Sequence, residues 1–390
     1  MKLGIIATHP IQYHAPWFRA LASRSELDVR VAFVRIPDAI QQGQGFGIQF
    51  KWDVPLLDGY SHCLIQTRSF LPRVEFFRHR IIGFSDWLKK EHIEVLLSTG
   101  WNEWPLLQAA IEARLNNVPV LVRGETTGFK RRPLAARVTH AALLRLYDAF
   151  LVIGEANRHF YSSHGVSANR QFVAPYFVDN MRFSQQAESL AQQRTSVRER
   201  WGIQADQVCF LFVGKLEPKK HVLSLLEALR LGLERGAKMC ALIVGTGEQL
   251  DLARSVAAEH HLPAIFAGFL NQTELASAYV ACDCLVLPSD YGETWGLVVN
   301  EAMACGRPAI VSDRVGCGPD LVVEGESGAI FKFGDADALA SLMCRFSSDR
   351  ALLTRMGHLA QERVMRDFTA ECSAQAVVDA VNFLRDAHVK

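Results

Sequence analysis

The sequence predicts an α/β protein made of two Rossmann-like, doubly wound domains. Three observations carry that expectation. Short apolar runs that read as buried parallel strands alternate with helical runs, as in IEVLLSTG, PLLQAAIEARL and VPVLVRGE. The alternation begins at KLGIIA and begins afresh at VCFLFVG. The 390 residues are ample for two cores. The segment QFVAPYFVDNMRF reads as the crossing between the halves, so the expected division is 1–178 and 179–369.

Composition narrows the class. Apolar residues make up 49% and charged residues 21%, as in a soluble globular protein. No apolar run reaches the length of a membrane-spanning helix. MKLGIIATHP reads as a first strand rather than a signal peptide. Nine Cys without a C-x-x-C suit a reduced, cytosolic protein, and Cys282 and Cys284 read as core. Net charge is +1, but residues 1–175 hold 21 Lys and Arg against 14 Asp and Glu, or +7. The remainder holds 21 against 27, or −6. A basic first half suggests an anionic partner there, such as a lipid phosphate or a membrane surface.

Along the first half, KLGIIA is followed by THPIQYHAP and the helix WFRALASR. Ligands of open α/β sheets bind at the carboxyl ends of strands, which makes His9 and Gln12 candidates. DVRVAFV is the second strand. Residues 35–61 form a long Gly- and Gln-rich loop, expected to be functional. In TRSFLPRVEFFRHRIIGF, Arg68, Arg73, Arg78 and Arg80 interleave with Phe70, Leu71, Phe76 and Phe77. That spacing suits either an interfacial segment on anionic lipid or a helix burying its Phe residues. No nucleic-acid-binding motif accompanies it. Arg123 and Glu125, at a strand end, read either as ligand-facing residues or as an internal salt bridge.

In the second half, VCFLFVG leads through Gly214 into the turn KLEPKKH and a helix. Lys215 and Lys220 at a helix start suit a diphosphate. Gly245-x-Gly247 lacks a third glycine, so a dinucleotide fingerprint is weak and an NAD-dependent oxidoreductase is disfavoured. Gly268 ends the strand IFAG. Asp335-x-Asp337 precedes a helical run and reads as an N-cap, not a metal site.

The densest chemistry lies in Pro288–Gly306, PSDYGETWGLVVNEAMACG. It reads strand, loop, helix, with Glu293 in the loop and Glu301 on the helix. The helix start near Gly296 and Leu297 presents unpaired N–H groups, a ready anion site. Eight residues at 1.5 Å each put the two acids roughly 12 Å apart. A sugar nucleotide has matching groups: sugar hydroxyls, diphosphate, ribose.

E-x7-E within PS…GETWGLVVNEAMACGRPAIVSD resembles the signature of the retaining, GT-B-fold glycosyltransferases of family 4, the group 1 glycosyltransferases. The resemblance is specific over roughly residues 208–335 and weaker before them. It implies the GT-B architecture, two domains facing a cleft, with the first binding acceptor and the second binding donor; loop 35–61, His9, Gln12, Arg123 and Glu125 would then lie on the acceptor side. The last helix, at about 370–390, would cross back to the first domain. It implies that Glu293 binds donor-sugar hydroxyls, Glu301 the ribose, and the amides after Thr294 the diphosphate. Both lysines match basic family positions, and the turn at Gly268 would lie against the nucleoside base. His-Pro-Ile-Gln-Tyr replaces the Gly-rich turn many relatives carry after the first strand. The implied reaction is sugar transfer, with retained configuration, from a nucleotide diphosphate sugar to a hydroxyl of a sugar or lipid-linked acceptor. Cell-surface polysaccharide or glycolipid assembly is the expected setting, with the nucleotide sugar as co-substrate and no metal or nucleic acid. The expected location is cytoplasmic, with a peripheral membrane contact. Rival readings are a hydrolysing sugar-nucleotide epimerase or a phosphorylase of the same fold, and a non-catalytic sugar-nucleotide-binding protein.

Overall fold

The computed structural model describes residues 1–43, 46–130 and 132–388. The chain forms two compact units. One comprises Met1–Asp38, Pro55–Tyr176 and the helix Ala370–His388; the other comprises Ala39–Val54 and Phe177–Thr369.

The strands of the first unit are β1 (Lys2–Ala7), β2 (Asp28–Phe33), β3 (His62–Leu64), β4 (Thr67–Ser69), β5 (His79–Ile81), β6 (Val95–Ser98), β7 (Val120–Val122), β8 (Ala149–Val152) and β9 (Gln171–Val173). Seven of them make a parallel sheet in the order β3-β2-β1-β6-β7-β8-β9. The chain works outward from β1 to β3, then returns to the far side of β1. The gap between β1 and β6 is therefore a topological switch point, where open α/β sheets take ligands. Every residue of β6, β7 and β8 is buried, because helices cover both faces of such a sheet. Leu96, Val122, Phe150 and Phe160 anchor the core. The helix Ala370–His388 packs on the helix His14–Ala22 and on β8 and β9, with Phe383 against Phe172.

The second unit repeats the plan with β10 (Val208–Val213), β11 (Met239–Val244), β12 (Ala264–Gly268), β13 (Cys284–Leu287), β14 (Ala309–Ser312) and β15 (Gly328–Phe331). Their parallel order is β12-β11-β10-β13-β14-β15, which sets the switch point between β10 and β13. Both strands are buried along their whole length, and Phe210, Phe212, Ile243 and Val286 share one core. Asp335 caps the helix Ala336–Ser348 by accepting from the Ala338 amide at 2.8 Å. No described helix is long and apolar enough to cross a membrane.

Two expectations from the sequence need correction. Residues 67–81 are not a helix: β4 and β5 pair antiparallel around a single 3-10 turn, Glu75–Phe77. The hairpin leaves Arg68, Arg73, Arg78, Arg80, Phe70, Leu71 and Val74 exposed, while Phe77 packs on Trp104. The second correction concerns the loop after β2, expected on the acceptor side. Its residues 39–54 cluster with the second unit, where the described part packs aromatic rings on Phe269.

Candidate active site

The second switch point gathers the chemistry. The loop leaving β10 carries Gly214, Lys215 and Lys220; the loop leaving β13 carries Glu293, Thr294 and Gly296. Backbone bonds tie the two loops, since the Asp290 amide donates to the Lys219 carbonyl at 2.9 Å. A third loop, after β14, braces them. There the Gly316 amide donates to the Glu293 carbonyl at 3.0 Å and the Cys317 amide to the Trp295 carbonyl at 2.9 Å. Gly316 has to be glycine, because a Cβ there would lie 1.8 Å from the Thr294 carbonyl oxygen. Gly296 precedes the helix Leu297–Ala304 at φ 103°, in the left-handed region, and a Cβ would lie 2.8 Å from Leu287.

Lys220 and Glu293 form an ion pair, each side chain about one-seventh exposed at 15% and 14%. Ser289 donates a second hydrogen bond to the same carboxylate oxygen at 3.3 Å. Lys215 lies in the same turn with its ammonium 4.6 Å from the centre of the Phe46 ring. Burial pushes the Lys215 amine below the ordinary lysine range; Glu217 opposes that shift and Lys219 and Lys220 add to it. Gly214, at a positive φ of 154°, lies beside the Lys220 side chain. Thr294 and Leu297 are half-buried at the helix start.

Glu301 stands on the helix Leu297–Ala304. It is fully buried, and the Tyr279 hydroxyl donates to it at 2.7 Å. Trp295 is fixed in the same way, its indole N–H donating to Asn300 at 2.8 Å. Gly268, at φ 72°, accepts from the Gly245 amide at 2.7 Å.

Several residues here carried no recognisable signal in the sequence. Phe46 packs edge-on and Phe50 tilted against Phe269, at 5.2 and 4.4 Å between ring centres. The Thr246 hydroxyl donates to the Phe46 carbonyl, Asn271 to the Lys51 carbonyl at 2.7 Å, and the Thr273 hydroxyl to Asp53. Only the run of glycines around residue 45 hinted that this loop is special. Among the described residues, no cluster of three or more His, Cys, Asp or Glu has a metal-binding arrangement.

In the first unit, His9 follows β1 and accepts or donates a 2.9 Å hydrogen bond with the Thr8 hydroxyl. Burial and then Arg35 hold its imidazole below the ordinary value, with Glu103 opposing. Arg35 grips Glu103 in a bidentate pair at 2.6 and 2.8 Å, which sequence reasoning missed. Gln12 is half-buried in the same loop. Arg123 and Glu125 do not form the salt bridge considered above. Glu125 instead accepts from the Tyr176 hydroxyl at 2.6 Å, and Arg123 is buried against Trp17 and Tyr176.

Residues 193–363 match the family model described as glycosyl transferases group 1. The chain is 31% identical over 209 residues to the D-inositol 3-phosphate glycosyltransferase of Streptomyces avermitilis, covering 51% of this chain and 44% of the relative. It is 29% identical over 182 residues to the N-acetyl-α-D-glucosaminyl L-malate synthase of Bacillus anthracis, covering 45% and 46%. The matches thus span under half the length of these curated relatives. Among solved structures, Anabaena Alr3699/HepE in complex with UDP and glucose superposes with a TM-score of 0.71 at 16% identity, covering 98% of this chain and 99% of that one. The fold is that of the GT-B glycosyltransferases.

Proposed function

We propose that this chain, whose residues 193–363 belong to the group 1 glycosyltransferases, is a retaining, metal-independent glycosyltransferase. It would move a sugar from a nucleotide diphosphate sugar to a hydroxyl. The observation that supports this most is the meeting of Lys220 with Glu293 at the β10/β13 switch point, with Lys215 in the same turn.

On this reading the donor divides the ion pair. Lys220 turns to phosphate oxygens and Glu293 to sugar hydroxyls. The bond from the anomeric carbon to the phosphate oxygen breaks, and its electron pair leaves with the diphosphate. The acceptor oxygen attacks from the same face, and its proton passes to a phosphate oxygen of the departing group. Lys215, Lys220 and the amides at Gly296 and Leu297 stabilise the growing phosphate charge, the preorganised donors that acyl- and phosphoryl-transfer sites also use. Thr294 and Gly214 shape the diphosphate pocket, Glu301 serves the ribose through an orientation set by Tyr279, and Gly268 lies toward the base.

The acceptor side is assigned to His9, Gln12, Arg123 and Glu125 of the first unit. Cell-surface polysaccharide or glycolipid assembly is the proposed setting, on the cytoplasmic side. The exposed basic and apolar hairpin of β4 and β5 supports a peripheral contact with anionic lipid.

The test is transfer itself. The protein is incubated with a panel of nucleotide diphosphate sugars and simple alcohol or sugar acceptors, with EDTA present. Proton NMR then reads product configuration. The reading expects one donor to give a product with the donor's anomeric configuration. An inverted product, or a requirement for added Mn²⁺ or Mg²⁺, would contradict it.

A further inference from the structure

Three polar side chains of the first unit are buried together without hydrogen-bond partners: the Nε and both Nη atoms of Arg123, Nε1 of Trp17 and Nδ1 of His14. The Arg123 side chain is nearly closed off, with 2% of the residue exposed. Its guanidinium carbon lies 4.3 Å from the Trp17 ring centre and 4.4 Å from that of Tyr176. The His14 ring lies 6.3 Å from that of Trp17. Arg123 directly follows β7, and His14 and Trp17 begin the helix after the β1 loop. All three therefore stand toward the carboxyl ends of the sheet, where ligands bind.

A buried guanidinium without an acceptor is costly, and natural interiors rarely tolerate one. The flanking rings attract the charge but take none of its five N–H groups. The nearby carboxylate of Glu125 is engaged by Tyr176. What remains is a planar fork of donors with an indole N–H beside it. That fork matches the oxygens of a carboxylate or phosphate.

We propose that Arg123 anchors an oxyanion subsite for the acceptor, with Trp17 Nε1–H and His14 Nδ1 beside it. The acceptor accordingly carries a phosphate or a carboxylate near its reacting hydroxyl. This rests on the glycosyltransferase reading and deepens it by naming the acceptor's chemical class. Because the guanidinium is closed in, binding displaces side chains there, and Trp17 reports the displacement.

The protein is labelled with 5-fluorotryptophan, and the Trp17 and Trp295 signals are assigned from Trp17→Phe and Trp295→Phe. Sodium phosphate and sodium acetate are then titrated against sodium chloride at equal ionic strength. UDP, GDP and ADP are titrated separately. The Trp17 signal should move saturably with an oxyanion and not with chloride; whichever of phosphate and acetate acts at lower concentration identifies the group. Arg123→Lys keeps the charge but loses the fork, and should weaken that titration by about tenfold or more. It should leave the Trp295 response to a nucleoside diphosphate unchanged. A Trp17 signal that neither oxyanion moves beyond the chloride control overturns the proposal, as does an equal titration in Arg123→Lys. A Trp295 signal indifferent to all three nucleotides contradicts the glycosyltransferase reading instead.

Discussion

Lys220 and Glu293, 73 residues apart in sequence, form an ion pair across the loops that leave neighbouring strands β10 and β13. Neither side chain is deeply buried, so both remain available to a ligand. Lys220→Ala and Lys215→Ala should each lower turnover by roughly 10²-fold or more, the typical effect of losing one preorganised donor. Circular dichroism should show the fold intact. Near-wild-type turnover in both variants would remove the lysines from the mechanism.

The Lys215 amine adds a pH signature. Its acidity is raised by burial, so it loses its charge at a lower pH than an ordinary lysine. On the proposed mechanism the charged form helps the leaving group, so kcat should fall on the alkaline side before pH 10.5, the ordinary lysine value. Lys215→Arg should move that limb to higher pH, because a guanidinium stays charged. An alkaline limb that Lys215→Arg does not move would assign it to another group.

The two glutamates should separate kinetically. Glu293 lies in the loop that the reading places near the reacting sugar, so Glu293→Gln should mainly lower kcat. Glu301 is buried and held by Tyr279, a setting that suits a contact made equally in ground and transition states. Such a contact changes KM more than kcat. Glu301→Gln should therefore raise the donor KM, and Tyr279→Phe should do so to a lesser degree. The opposite split in steady-state kinetics would reverse the placement of sugar and ribose.

Much of this was legible in the sequence. IEVLLSTG, VCFLFVG and CLVLPS announce buried parallel strands because a strand covered on both faces has no polar side to show. Pro288–Gly306 announces its loop and helix through glycine spacing, and Asp335 announces its cap. The failures share a cause. The partner of the buried Glu301 carboxylate, Tyr279, lies 22 residues away, and Phe46 in the loop after β2 meets Phe269 and Thr246 more than 190 residues on. Such long-range partners leave no local periodicity. The Arg-Phe pattern of residues 67–81 fits a helix as well as a hairpin, and the antiparallel pairing of Thr67, Arg68 and Ser69 with Ile81, Arg80 and His79 across β4 and β5 decides.

Phe46 holds a distinct position, since its ring faces the Lys215 ammonium. A cation over an aromatic face contributes about 0.5–1 kcal/mol at partly exposed sites. A diphosphate competes for that ammonium. Phe46→Ala should thus tighten nucleoside diphosphate binding by roughly two- to fivefold, measured as Kd. Weaker binding in the variant would make Phe46 part of the ligand pocket instead.

The exposed hairpin predicts salt-sensitive lipid binding. Each Lys or Arg near an anionic surface contributes about 1 kcal/mol. Sedimentation with phosphatidylserine vesicles should fall as salt rises, and fall again in an Arg73/Arg78/Arg80 triple-Ala variant. Equal sedimentation with neutral and anionic vesicles would leave the hairpin as ordinary surface.

On the proposed function, the β10/β13 switch point binds the diphosphate of a sugar nucleotide. Calorimetric titration of UDP, GDP and ADP into the wild-type protein and into a Lys215→Ala/Lys220→Ala variant tests it most directly. One nucleotide should bind the wild type saturably, and the double variant should bind it at least about tenfold more weakly. Failure of all three to bind, or equal affinity in the double variant, would contradict the account.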